Sequence, residues 1–166
     1  MFPALRPLLN KGGAGRYISR AESVERLRPI AERHLDLLYG YDRALATMPD
    51  GAAKEQVEAM MPYLRTEVAK VSETILSLGG APPTGVGRDP QGRRSQPVGR
   101  DAAGERTLRQ QVEDLLGGER EFGGALRDEA DAVHHQERTR AILLHNAEAS
   151  TSRADLLRAI AADLPR

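Results

Sequence analysis

Leu76-Ser77-Leu78-Gly79-Gly80-Ala81-Pro82-Pro83-Thr84-Gly85 halts an apolar, helix-like run with two glycines and then two prolines. Upstream of it Val57, Met60, Leu64, Val68, Val71, Ile75 and Leu78 recur in steps of three and four. That spacing places them on one face of a helix and predicts a bundle seam. Pro62 lies inside this helix and is expected to kink or loosen one turn. A glycine just past the last turn takes the left-handed conformation that caps a helix, so Gly79-Gly80 reads as its stop. From there to about Glu105 the chain is polar and rich in breakers, a loop over 81–105.

Three more helices follow from the same periodicity. The first begins near Ser19 or Ser23; Ser19-Arg20-Ala21-Glu22 has the spacing of a capping box, and Ser23 is a second candidate cap. Pro29 marks either a kink or the first turn of the main helix. Leu27, Ile30, His34, Leu38, Tyr41, Leu45 and Met48 form its seam, and Met48-Pro49-Asp50-Gly51 is its closing turn. The third helix, from about Arg106, carries Leu108, Val112, Leu115, Glu119, Phe122, Leu126, Glu129 and Val133 on a heptad. Its glycine pairs, Gly117-Gly118 and Gly123-Gly124, predict close helix approach or a bend. After a turn near Val133–Gln136, the fourth carries Leu143, Ala147, Ser150, Ala154, Leu157, Ala161 and Leu164.

Composition agrees. Aromatic residues make up only 4% of the 166, and the apolar content leans on Ala and Leu, which favours helices over a sheet. There is no cysteine, which excludes disulfides, thiolate metal sites and Cys nucleophiles. No apolar run is long enough for a membrane span, and no signal-peptide core follows Met1. A cytoplasmic protein with no membrane partner is the expectation. No phosphate-loop or Gly-x-Ser-x-Gly pattern occurs.

The predicted fold is an all-α four-helix bundle over 21–166, preceded by a basic arm at 1–20. A helix of about 27 residues is about 40 Å long. An extended segment of 20–25 residues reaches at least about 60 Å. The loop can therefore return along the whole bundle, so that helices 2 and 3 run parallel, the single long crossover of ferritin-like folds. The alternative is an insertion in an up-down-up-down bundle.

Ser72-Glu73-Thr74-Ile75-Leu76-Ser77-Leu78-Gly79-Gly80-Ala81-Pro82 resembles the end of helix 2 in ferritin-like proteins. It is most similar to the DNA-protecting mini-ferritins (Dps-like), where A-E-R-I-x-x-L-G-G-x-P is common. Leu126–Asp131, Thr139–Leu143 and Arg153–Ile160 resemble their last two helices. The resemblance implies an oligomeric, ferritin-like four-helix bundle with a di-iron centre. The standard ligands are missing, however. No Glu-x-x-His occurs; Glu67-Val68-Ala69-Lys70 stands where helix 2 would carry it. Glu73 matches a family ligand, but its acidic companion is replaced by Ala69, and the positions of the helix-1 histidines fall on Asp42 and Lys54.

The remaining candidate metal ligands are Glu73, His34, Glu67, Glu119 and His145: imidazoles and carboxylates in or beside the seams, able in principle to hold iron or manganese. The plainer reading is that these are satisfied polar residues and that no cofactor binds. His134-His135 reads as a solvated turn. Flexible basic segments suit phosphate backbones, which makes Arg6, Lys11, Arg16, Arg20, Arg93 and Arg94 candidate nucleic-acid contacts. The primary expectation is a non-catalytic, homo-oligomeric assembly or binding protein. The alternatives are an iron-handling or metal-binding oxidoreductase with a non-standard site, and a DNA-associated stress protein using the basic arm and loop.

Overall fold

The structure, a computed structural model, describes residues 18–84, 107–133 and 136–164. They form four α-helices: α1 (Arg20–Thr47), α2 (Ala52–Ser77), α3 (Leu108–Ala132) and α4 (Glu137–Asp163). No strand occurs among the described residues. The all-α bundle expected from the periodicity is what forms. The arm up to residue 17, residues 85–106 of the long connection and His134-His135 lie outside the described residues.

Local chemistry sets the helix ends. Ser19 is the N-cap of α1, its hydroxyl accepting the Glu22 N–H at 3.1 Å. Ser23 is already inside the helix, where its hydroxyl donates back to the Ser19 carbonyl at 2.9 Å. α3 opens on a reciprocal capping box: Thr107 Oγ1 accepts the Gln110 N–H, and Gln110 Oε1 accepts the Thr107 N–H. Gly79 takes φ 87° at the end of α2. Its N–H reaches the Leu76 carbonyl at 2.9 Å while that of Gly80 reaches Ile75 at 3.0 Å, the paired bonds of a Schellman motif. Gly80 is needed for a second reason: a Cβ there would overlap both methyl carbons of Val24 on α1. Both helices continue through their prolines, Pro29 and Pro62, which are exposed on the outer faces.

Cross-helix pairs fix the directions. Along α1 and α3, Arg26 meets Glu129, Tyr41 meets Glu119 and Thr47 meets Gln111, so the two are antiparallel. His34–Glu67 and Asp42–Arg65 make α2 antiparallel to α1. Arg109 with the Leu164 carbonyl, Glu119 with Arg153, and Arg127 with Thr151 make α4 antiparallel to α3. α2 and α3 therefore run in the same direction. They sit across one diagonal of the bundle, as α1 and α4 sit across the other. α1 and α3 approach closely because each seats a leucine over the other's glycine: Leu115 over Gly40 and Leu37 over Gly118.

The core is two apolar clusters. One holds Val24, Leu27, Ile30, Val71, Ile75, Phe122, Leu126 and Leu143. The other holds Tyr41, Val57, Met61, Leu64, Val112, Leu115, Leu157 and Ile160. The α2 seam differs from the expected one. Met61 rather than Met60 is buried, and Glu67 rather than Val68, which is only partly covered. α2 packs between α1 and α4, so its buried face is centred on the line between those two neighbours and not on the most apolar stripe.

Candidate functional site

Between the two apolar clusters lies a layer of polar side chains to which every helix contributes. α1 supplies His34 and Tyr41, α2 Glu67, α3 Glu119, and α4 Ser150 and Arg153. All are buried; Glu119 is 1% exposed and Arg153 6%. Such a layer is stable only if its members satisfy one another, because a lone buried ion costs several kcal/mol.

Arg153 is the centre. Its Nε donates to Glu119 Oε1 at 2.5 Å and Nη2 to Glu119 Oε2 at 3.2 Å, a two-pronged grip on one carboxylate. Nη1 donates to Glu67 Oε2 at 2.8 Å. One guanidinium thus bridges the two interior carboxylates. Tyr41 donates its hydroxyl to Glu119 Oε1 at 2.7 Å, and Ser150 donates to Glu119 Oε2 at 2.6 Å. Each Glu119 oxygen therefore takes two donors. His34 Nε2 lies 3.5 Å from Glu67 Oε2, and the imidazole packs against Phe122 with ring centroids 4.8 Å apart.

The electrostatics follow from burial and pairing. Burial pulls the His34 imidazole below its ordinary value, although the neighbouring Glu67 carboxylate opposes this. His34 is thus neutral at neutral pH. Burial, reinforced by the Glu119 carboxylate, pushes the Tyr41 hydroxyl up, so that it stays protonated. For Glu67, burial alone would raise the carboxyl; His34 and Arg153 outweigh it and hold it below the ordinary range. Burial would lower Arg153, but its contacts with Glu119 and Glu67 raise it. The layer is a fixed ionic network with one positive and two negative groups. None of its members is set up as a nucleophile.

Of the sequence-derived metal candidates, His34, Glu67 and Glu119 are brought together here. Glu73 and His145 are not; both are exposed, on α2 and α4. Glu73 follows Glu67 by six residues, which turns it about 240° away around the helix. Arg20 is exposed at the start of α1, while Arg6, Lys11, Arg16, Arg93 and Arg94 lie outside the described residues. Arg153, Tyr41 and Ser150 were not among the sequence candidates. The available signal was Leu143, Asn146, Ser150, Arg153, Leu157 and Ile160, a seam in steps of three and four with an arginine in register.

The donor set does not fit a metal ion. His34, Glu67 and Glu119 are the right residue types, but the guanidinium of Arg153 occupies the space between the carboxylates. No group of three or more His, Asp or Glu among the described residues is close enough to hold an ion.

No family model and no curated protein matches the chain.

Proposed function

We propose that this protein is a ferritin-like four-helix bundle in which a guanidinium has replaced the metal centre. It acts as a non-catalytic, homo-oligomeric assembly or binding protein. The observation that carries the reading is Arg153 bridging Glu67 and Glu119. A di-metal centre in such a bundle uses carboxylates and histidines that converge from all four helices. Here the converging carboxylates are bridged by a cation that is part of the chain and cannot dissociate. A metal ion entering this layer would have to displace a charged side chain held by three hydrogen bonds to carboxylate.

Two further features support the reading. The common direction of α2 and α3 is the one a long crossover connection requires. The Schellman turn at Gly79-Gly80 lies in the stretch that resembles the ferritin-like helix 2 terminus. Carboxylates tied to a fixed guanidinium and to hydroxyl donors favour a structural role for the layer over a chemical one.

The test is metal analysis of protein purified without a histidine tag, after loading with ferrous iron or manganese and dialysis. The expected content is well below one ion per chain. A stoichiometric ion that is lost on Glu67→Ala or His34→Ala would overturn the reading in favour of a metal-handling protein. Light scattering tests the assembly separately, and a monomer at every concentration would remove that part of the proposal.

A further inference from the structure

The groove between α3 and α4 lies directly outside the buried layer. It has a volume of about 150 Å³ and is lined by Arg120, Arg127, Arg158, Thr151, Asp155 and the edge of Glu119, with Gly123 and Ala154 at its floor. The small floor residues make the depression, because no side chain from Gly123 fills the space facing α4. Three arginines line one small, partly enclosed volume. We propose that this groove binds a tetrahedral oxyanion: free phosphate, or the phosphoryl group of a small molecule.

The charge pattern points that way. Arg127 is anchored by donating to Thr151 Oγ1 at 2.7 Å, which leaves other N–H groups of its fork to donate. Arg158 is braced by Asp155 at 2.5 Å. Arg120 is exposed and makes no ion pair among the described residues. Its helix neighbours three and four residues away are Leu116, Gly117, Gly123 and Gly124, so no carboxylate on its own helix faces it. The carboxylates nearby are already engaged. Asp155 pairs with Arg158, and both oxygens of Glu119 are saturated from below by Arg153, Tyr41 and Ser150. Counting the layer beneath, four guanidiniums face three carboxylates, with the excess positive charge on the open side. Forked N–H donors match the oxygens of a phosphoryl group better than a spherical halide.

This inference does not depend on the ferritin-like reading, and either can fail alone. It is tested by nitrogen–proton correlation spectra of the full chain, including arginine Nε signals. Inorganic phosphate, phenyl phosphate and sodium chloride are titrated at equal ionic strength. Saturable shifts at Gly123, Thr151 and the Arg120 and Arg127 Nε signals are expected with both phosphates and not with chloride. Tighter binding of phenyl phosphate assigns the site to a phosphorylated small molecule, whereas preference for inorganic phosphate assigns it to the free ion. Arg120→Gln and Arg127→Gln should each weaken binding about tenfold, while Arg28→Gln, exposed on α1, should leave it unchanged. Equal shifts with chloride, or affinity within twofold of wild type in Arg120→Gln, would overturn the proposal. Circular dichroism confirms that each variant is folded.

Discussion

Replacing Arg153 by Met removes the cation of the buried layer and strands Glu67 and Glu119 in the core. Met approximates the aliphatic stem, so the change is chiefly electrostatic. Three hydrogen bonds to carboxylates disappear with it. Breaking a buried ion pair by deleting one partner costs about 3–5 kcal/mol. A domain of this kind has roughly 5–15 kcal/mol in all. With a urea slope of roughly 2 kcal/mol per molar, the unfolding midpoint should fall by about 2 M. Circular dichroism is the suitable probe, since the chain has no tryptophan. The loss should also depend on pH. In wild type, Glu67 is held below its ordinary value of 4.5, so its contribution is present above that value and is lost as pH falls through the folded value. In Arg153→Met burial is opposed by His34 alone, so the Glu67 carboxyl moves up relative to wild type and the variant loses less stability on acidification. The gap between the two proteins therefore narrows as pH falls. Adding Glu67→Gln and Glu119→Gln to Arg153→Met should recover at least half of the loss, because no charge is then left unpaired. A loss under about 1 kcal/mol, a gap independent of pH, or no recovery in the triple variant would refute the account of the layer.

Four other outcomes are expected. Gly80→Ala should destabilise by about 1–3 kcal/mol through overlap with Val24, and Val24→Ala should relieve much of that in a double-mutant cycle. Gly117→Ala should do the opposite and raise stability by about 0.5–1 kcal/mol, because a Cβ there meets nothing within 4 Å in a helix interior. His34, with its folded value depressed by burial, contributes stability above its ordinary value of 6.5 that is lost as pH falls through the folded value; His34→Gln should flatten denaturation midpoints over that acid range. Asn146 is fully buried and neither amide atom has a hydrogen-bond partner among the described residues, so Asn146→Leu should stabilise by about 1–3 kcal/mol in chemical denaturation.

What could be read in the sequence was what depends on near neighbours. Ser19 caps its own helix, and Gly79-Gly80 closes α2 through bonds spanning five residues or fewer, so the residue types alone identify them. Period likewise singled out His34 and Glu119 as polar intrusions in apolar seams. Glu67 reads only as a border residue, because Val68 is the more apolar choice for the same face. The α2 seam falls on Glu67 because α1 offers His34 and α4 offers Arg153, contacts 33 and 86 residues away in the chain that no window contains. Arg153 is hidden from a sequence reading for a related reason. An arginine in a seam usually means that the seam has been drawn one residue off, and only a facing pair of carboxylates makes the interior position tolerable. Glu73 was favoured by local resemblance to a family motif, but its exposure follows from helix geometry once Glu67 points inward.

The layer also acts as an index mark for the bundle. Helices joined by hydrocarbon alone can slide past one another by two turns and still find leucine opposite leucine. Here a seven-residue slip of α4 that set Glu119 against Leu157 and Ile160 would leave Arg153 beside Leu126, two bare charges in oil. Alignment is thus encoded in four residues near mid-length, Glu67, Glu119, Ser150 and Arg153. The apolar positions above and below are relieved of that task, so the two ends should tolerate extensive exchange among Leu, Ile, Met and Val while the four helices keep their heights.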